Sequence, residues 1–171
     1  MGLRYILLNG PPDSGKDYIA DLAVQKLGYH KEELKRPLYE MCRLATGMTD
    51  FETKARNRYT KDIGLIPYGN TKVSPRKFMQ IMAEEIIKPA AGKDIFARML
   101  YERTKHLSNT VIVSDAGLPE EVLPNSIVIR VIRPKTDFSL DTRKYLPTRH
   151  TIHNTNNILE QLVTEVQNGF N

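Results

Sequence analysis

The sequence predicts an α/β protein in three layers (α/β/α), with helices on both faces of a parallel sheet of about five strands. Unbroken apolar runs at residues 4–9, 110–114 and 127–132 are typical of strands that are buried on both faces. Segments with helical apolar periodicity separate these runs, and strands that alternate with helices form parallel sheets. Short strands are also expected within 29–36 and at 151–153, which brings the number to about five.

Helices are expected wherever apolar residues recur at helical spacing, and glycine or proline marks several of their ends. Gly28 suits the position after a helix C-terminus, and Pro89 is expected to stop a helix that begins at Ser74-Pro75. Residues 64–70 are predicted to be a loop from their Gly, Pro and Asn content. The predicted helices cover about 16–27, 37–46, 49–59, 75–88, 95–106 and 157–167.

The turn between the first strand and the first helix carries the pattern of a phosphate-binding P-loop: Gly10, four residues, then Gly15-Lys16. In such a loop the backbone N–H groups converge on phosphate, and the positive end of the next helix adds to them. The lysine places a point charge on the β- and γ-phosphates of a nucleotide. The residues expected to hold those phosphates are Gly10, Pro12, Asp13, Ser14, Gly15, Lys16, Asp17 and Tyr18.

Asp17 departs from the usual pattern, in which Ser or Thr follows the lysine and its hydroxyl ligates magnesium. A carboxylate can hold Mg²⁺ directly or through water. Asp115 ends the strand at 110–114, and ligands of parallel sheets gather at such strand ends. Asp17 is therefore a candidate metal ligand, and Asp115 lies at a strand end where ligands are expected.

Composition excludes several classes of protein. The 171 residues predict one domain, and the single cysteine, Cys42, allows no internal disulfide and no cysteine metal cluster. The net charge of +5 is spread over several segments, which favours separate phosphate contacts over a continuous nucleic-acid footprint. No apolar stretch approaches membrane-spanning length and no signal peptide is evident, so we expect a cytoplasmic protein without membrane or nucleic-acid partners.

The helix that begins at Ser74-Pro75 carries Arg76 and Lys77 in its first turn, where the helix dipole favours carboxylates. These cations either point into water or share an anion with the helix N-terminus. An Arg fork can grip a phosphate group in bidentate fashion, so Arg76 is a candidate phosphate-binding residue.

Several stretches together resemble the nucleoside monophosphate kinases, and more narrowly the phage-type deoxynucleoside monophosphate kinases. They cover most of the chain, and the P-loop is the most specific of them. In related sequences an Arg is expected two residues after the strand-end Asp, where this chain has Gly117. The matching stretches are Ser-Gly-Lys-Asp at 14–17, Ser-Pro-Arg-Lys-Phe-Met-Gln at 74–80, Gly-Lys-Asp-Ile-Phe at 92–96, Val-Ile-Val-Ser-Asp at 111–115, Val-Ile-Arg-Val-Ile-Arg-Pro at 128–134 and His-Thr-Ile-His-Asn at 150–154.

The resemblance implies ATP- and Mg²⁺-dependent phosphoryl transfer to a (deoxy)nucleoside monophosphate, in a monomer or homodimer. It implies one domain over 1–171, with an acceptor-binding helical insertion at about 35–106 and a lid at about 134–150. Lys16, Arg143 and Arg149 would be catalytic, the two arginines closing over the transferring phosphoryl group. Asp17 and Asp115 would hold Mg²⁺, directly or through water. The residues implied for the acceptor are Arg76, Lys35, Arg36, Arg98 and Asp115. If the protein is of phage origin, its compartment is the host cytoplasm.

Other functions are also compatible with the P-loop motif. Phosphomevalonate kinases of animal type look similar at the P-loop, so another small phosphorylated metabolite is a possible acceptor. A regulatory P-loop NTPase and an inactive nucleotide-binding module are further alternatives. Rapid ATP hydrolysis without an acceptor would favour the regulator, and binding without turnover would favour the inactive module.

Overall fold

The computed structural model describes residues 3–138 and 143–171 of the chain. It divides into two compact units, Met1–Leu34 with Ala97–Asn171 and, between them in sequence, Lys35–Phe96. The strands are β1 (Arg4–Asn9), β2 (His30–Glu32), β3 (Ile66–Tyr68), β4 (Thr71–Val73), β5 (Thr110–Val113), β6 (Ser126–Ile132) and β7 (His150–His153). The α-helices are α1 (Lys16–Leu27), α2 (Arg36–Thr46), α3 (Phe51–Arg56), α4 (Pro75–Gln80), α5 (Lys88–Ala91), α6 (Ile95–Thr104) and α7 (Ile158–Phe170).

The first unit is built on a five-stranded sheet with the order β2-β5-β1-β6-β7. Every pairing in it is parallel, so the carboxyl ends of all five strands lie along one edge. The predicted fold class is confirmed, including the short strands that were expected within 29–36 and at 151–153. The C-terminal stop of α1 is also confirmed, since Gly28 has a left-handed φ of 68°.

The three layers follow from the alternation of side chains along β1. Ile6 and Leu8 point into a core that also contains residues of α1 and α7. Tyr5 points to the opposite face, where its hydroxyl lies 2.8 Å from Oγ1 of Thr104 on α6. Successive residues of a strand face opposite sides, so α1 and α7 cover one face of the sheet and α6 covers the other.

The second unit contains α2, α3, the β3–β4 hairpin and the helical segment that begins with α4. The prediction of a loop over 64–70 is wrong for residues 66–68, because Ile66–Tyr68 pairs antiparallel with Thr71–Val73. The helix predicted over 49–59 is shorter, since Asn57 leaves the helical conformation with a ψ of 122°. Phe51 and Phe78 meet edge to face in this unit, with ring centroids 6.2 Å apart.

Pro89 does not stop the helix that begins at Pro75, contrary to the sequence prediction. α4 continues as a π-helix over Ile81–Ile87, and α5 follows it directly. Proline has no N–H group and its ring clashes with the carbonyl four residues earlier in an α-helix. The wider turns of a π-helix change the partners of the carbonyls ahead of Pro89, so the chain passes the proline without breaking.

Gly169 lets α7 approach the sheet closely. A Cβ at this position would lie 2.8 Å from Cγ2 of Ile127 and 3.3 Å from Nε2 of His150. Gly169→Ala therefore should destabilise the protein, although the same change at an open helical site stabilises by about 0.5–1 kcal/mol. We expect a loss of about 1–2 kcal/mol, measured as a lower Tm in thermal unfolding. Asn168→Ala, at the exposed neighbour in α7, is the control, and an equal or higher Tm for Gly169→Ala would contradict the prediction.

Candidate active site at the phosphate-binding loop

The loop between β1 and α1 has a backbone that favours glycine at two positions. Gly15 has a φ of 94°, and a Cβ there would clash with Nδ2 of Asn154. At Gly10 a Cβ would lie 2.7 Å from the carbonyl oxygen of Val131. Asp13 also takes a positive φ, 61°, which short polar side chains tolerate. The predicted P-loop residues therefore form a tight turn that opens directly into α1.

The ammonium group of Lys16 lies over this loop. Its Nζ donates to the carbonyl oxygens of Gly10 at 2.7 Å and Pro11 at 2.6 Å. It also lies 3.3 Å from Oγ of Ser14, a residue that is completely buried. An ammonium group has three donors and no acceptor, so it can exchange these carbonyl partners for phosphate oxygens without leaving the loop.

Two side chains from the ends of other strands hold the loop from outside. Nδ2 of Asn154, just beyond β7, donates to the carbonyl oxygen of Ser14 at 2.9 Å. Nη1 of Arg133, just beyond β6, donates to the carbonyl oxygen of Asp13 at 3.0 Å. The backbone N–H of Asn154 donates to the carbonyl oxygen of Ile132 at 2.9 Å. The loop is thus braced against the carboxyl ends of β6 and β7.

Asp17, in the first turn of α1, has an exposed side chain that points to the end of β5. Its Oδ1 accepts a hydrogen bond from Oγ of Ser114 at 2.7 Å and lies 3.4 Å from Nζ of Lys31. Burial lowers the pKa of Lys31, but its hydrogen bonds and ion pairs with Asp21 and Asp17 outweigh burial and raise that pKa overall. Lys31 thus stays charged and balances part of the acidic cluster beside the loop.

The carboxylates predicted for magnesium lie at the same strand end. Asp115 follows Ser114 directly, and its Oδ1 accepts a hydrogen bond from the backbone N–H of Leu34 at 2.8 Å. Within 3–138 and 143–171, no group of three His, Cys, Asp or Glu side chains is arranged to hold a metal on its own. Mg²⁺ in nucleotide sites is held by one or two carboxylates together with phosphate oxygens and waters. The oxygen donors of Asp17, Ser114 and Asp115 fit that requirement.

The two arginines of the predicted lid lie in different settings. Arg143 is half-buried, and its side chain packs against Gly117 beyond the end of β5. Arg149 is exposed and directly precedes β7. Residues 139–142 of the predicted lid lie outside the described residues.

The residues predicted for the acceptor are divided between the two units. Asp115 and Arg98 belong to the first unit, with Arg98 exposed on α6. Arg76, Lys35 and Arg36 belong to the second unit, at the beginnings of α4 and α2.

Arg76 has an acidic neighbour that the sequence pattern did not indicate. Its Nε lies 3.4 Å from Oδ1 of Asp62, and both side chains are about half exposed. Two N–H groups at the start of α4 are already bonded, Lys77 to Oγ of Ser74 and Arg76 to the carbonyl oxygen of Lys61. The guanidinium group of Arg76, more than the helix N-terminus, is therefore the part of this candidate site that is open to an anion.

Several residues that shape the site have no role in the sequence-based predictions. Ser114 bonds Asp17, Asn154 braces the loop, and Asn9 is a buried amide at the end of β1. All three are polar and lie at the carboxyl end of a strand of the sheet or just beyond it. That position is the signal that could have identified them, because parallel strands bring such residues to one edge.

No protein-family model matches the sequence, and no curated protein matches it significantly. Solved structures are similar over nearly the whole chain. TT1252 from Thermus thermophilus has 16% identical residues and a TM-score of 0.55, with 100% of each chain covered. Dephospho-CoA kinase from Campylobacter jejuni has 13% identity and a TM-score of 0.49 over 98% of each chain. APS kinase from Mycobacterium tuberculosis has 13% identity and a TM-score of 0.45 over 96% of each chain. At 16% identity, the similarity to TT1252 is evidence for a shared fold and for nothing more specific.

Asn154 provides a test of the bracing of the loop. Asn154→Ala removes the hydrogen bond to the Ser14 carbonyl and leaves the residues that are predicted to bind phosphate unchanged. We expect ATP to bind about tenfold more weakly, since a displaced loop misaligns its N–H groups, and isothermal titration calorimetry measures this. Asn156→Ala, at an exposed residue nearby, is the control. Equal ATP affinity for both variants and the wild type would contradict the bracing role.

Proposed function

We propose that the protein is a P-loop kinase that transfers the γ-phosphoryl group of ATP to a (deoxy)nucleoside monophosphate and forms the diphosphate. The observation that carries the proposal is the position of Lys16, with its ammonium group 2.6–2.7 Å from two carbonyl oxygens of the loop. This places a fixed positive charge within a tight turn at a helix N-terminus, which is the arrangement that binds nucleotide phosphates. The resemblance of the sequence to nucleoside monophosphate kinases supports the choice of acceptor.

Phosphoryl transfer depends on positioning and on neutralising charge more than on covalent chemistry. Lys16 and the N–H groups of residues 10–17 bind the ATP phosphates and orient the γ-phosphoryl group. Asp17 and Asp115, with the Ser114 hydroxyl, would hold Mg²⁺, which neutralises charge that develops on the phosphate oxygens. Lys31 limits the repulsion between Asp17 and the phosphates because it lies 3.4 Å from that carboxylate.

Arg143 and Arg149 lie in or beside the segment that follows β6, and we assign them to the transferring phosphoryl group. A guanidinium group spreads its charge over a planar fork that matches phosphate oxygens. Closure of this segment would exclude water and so limit hydrolysis of ATP. The lid covers about 134–150 in this proposal.

The acceptor monophosphate is assigned to the guanidinium group of Arg76, with Lys35, Arg36, Arg98 and Asp115 as further candidates. A nucleoside monophosphate carries nearly two negative charges and three acceptor oxygens, which a bidentate fork can grip. The exposed ion pair of Arg76 with Asp62 has little stability of its own, about 0–1 kcal/mol, so a phosphate group can compete for the arginine.

A coupled kinase assay over a panel of nucleoside monophosphates tests the proposal, with phosphomevalonate and an acceptor-free sample included. We expect ADP formation that depends on one or more nucleoside monophosphates. Turnover with phosphomevalonate alone would point to a metabolite kinase, and rapid hydrolysis without an acceptor would point to a regulatory NTPase. Binding of ATP without turnover in any sample would contradict an enzymatic role.

Lys16→Ala should reduce turnover by about 10²–10³-fold, since one charge contact to the transition state is lost. Circular dichroism should be unchanged, because Lys16 is the first residue of α1 and its side chain lies over the preceding loop, outside the hydrophobic core. Initial rates at saturating ATP and acceptor measure the effect. A variant that keeps more than about a tenth of the wild-type rate would contradict the assignment of the loop.

Arg76→Lys should raise the KM for the acceptor at least about tenfold and leave the KM for ATP nearly unchanged, since lysine keeps the charge but loses the fork. Asp62→Asn should lower the acceptor KM, because it removes the carboxylate that competes for Arg76. Lys77→Gln changes one charge in the same helical turn and is the matched control. Steady-state kinetics at varied acceptor concentration measure all three, and an unchanged KM for Arg76→Lys would place the acceptor phosphate elsewhere.

A further inference from the structure

The chain from Arg143 to Leu146 is attached to the carboxyl end of the sheet by a buried amide. Asn9, the last residue of β1, has no solvent exposure. Its Oδ1 accepts a hydrogen bond from the N–H of Leu146 at 2.8 Å. Its Nδ2 donates to the carbonyl oxygens of Ala116 at 3.2 Å and Lys144 at 3.4 Å. One side chain therefore ties this segment to the loop that follows β5.

A second contact holds the same segment from the neighbouring strand. Arg130 on β6 lies opposite Asn9 in the strand register, so both side chains are on the same face of the sheet. The guanidinium carbon of Arg130 lies 4.8 Å from the ring centroid of Tyr145. Phe138 meets the same ring edge to face, with centroids 5.0 Å apart. Leu146 is buried beside them.

The third contact is between Arg143 and Gly117. A Cβ on Gly117 would lie 2.5 Å from Cδ, 3.2 Å from Cγ and 3.4 Å from Cβ of Arg143, and these are its three nearest neighbours. Gly117 is not among the residues with positive φ, so its backbone conformation is open to other residues. The lack of a side chain at 117 is thus what makes room for the stem of Arg143, two residues beyond Asp115.

We propose that Asn9 and Gly117 are positioning residues that hold Arg143 at the carboxyl end of β5, ready for the transferring phosphoryl group. This inference rests on the kinase function proposed above. It limits the predicted lid movement at this position, because the stretch from Arg143 to Leu146 is bonded to Asn9 and packs against Arg130 at the carboxyl end of the sheet. A cation that is fixed in advance needs no reorganisation during the reaction, whereas a misplacement of about 1 Å can reduce the rate about a hundredfold.

A double-mutant cycle tests whether Gly117 acts through Arg143. Arg143→Ala should lower kcat by about 10²–10³-fold. Gly117→Ala should lower kcat at least about tenfold and leave the KM for ATP within about twofold, since it displaces Arg143 but no P-loop residue. Gly117→Ala should have almost no further effect in the Arg143→Ala background, because the group that it displaces is already gone. An equal loss in both backgrounds would overturn the positioning role while the kinase function stands.

Limited proteolysis gives a readout that does not depend on activity. Trypsin can cut after Arg143 and Lys144, and after the exposed Lys135 of the same connection. We expect the wild type to be cut after Lys135 well before 143–144, as followed by mass spectrometry. Asn9→Ala should accelerate cleavage after 143–144, and Gly117→Ala should accelerate cleavage after Arg143. Asn109→Ala is the control, since the exposed hydrogen bond of that amide is to the Gly28 carbonyl.

The kinetic cycle and the proteolysis experiment together distinguish a failure of the positioning role from a failure of the kinase function. Two results together would overturn the anchoring. In the wild type, cleavage after 143–144 would be as fast as cleavage after Lys135, and in the variants its rate would not change. If Asn9→Ala does not fold, Gly117→Ala decides the question, because the nearest neighbours of its new methyl group all belong to one flexible side chain. If no acceptor supports turnover in the wild type, the kinase function fails and the positioning role fails with it, and proteolysis then reports on the anchored segment alone.

Discussion

The conformation of the loop between β1 and α1, the predicted P-loop, depends on a constraint at Gly15. Its φ of 94° is one that side chains rarely adopt, and the amide of Asn154 fills the place where a Cβ would lie. Asn154 comes from the end of β7, the edge strand that is last in both sequence and sheet order. The first loop of the chain is therefore completed by one of its last elements. A site assembled from such distant parts forms only when the whole sheet has formed.

The elements predicted well from sequence are those whose signal is local. The apolar runs of β1, β5 and β6 and the glycine spacing around Lys16 each lie within ten residues or so, and each appears in the structure where the pattern placed it. Ser114 and Asn154 carry no such signal, because their partners Asp17 and Ser14 are 97 and 140 residues away in sequence. Single-sequence reasoning finds the strand ends but not which side chains meet there.

The second unit shows where local rules conflict with tertiary structure. Pro67 and Gly69 predict a loop. In the structure Pro67 is inside β3, and a tight turn that includes Gly69 connects β3 to β4. Proline is tolerated in an isolated two-stranded hairpin because each of its strands is an edge strand. Pro89 predicts a helix end, yet the π-helix ahead of it keeps the helix continuous. The charge pattern around Arg76 suggested an external anion, but Asp62 supplies part of the negative partner, and no sequence pattern predicted that contact.

The one cysteine of the chain lies in this second unit, on α2, and is completely buried. Burial raises the pKa of the Cys42 thiol to about 12, so the thiol stays in its unreactive protonated form near neutral pH. A thiol reagent therefore gains access mainly when Lys35–Phe96 opens. The rate at which a thiol reagent modifies Cys42 therefore measures local opening of the second unit. The sheet unit does not contribute to this rate, because it contains no cysteine.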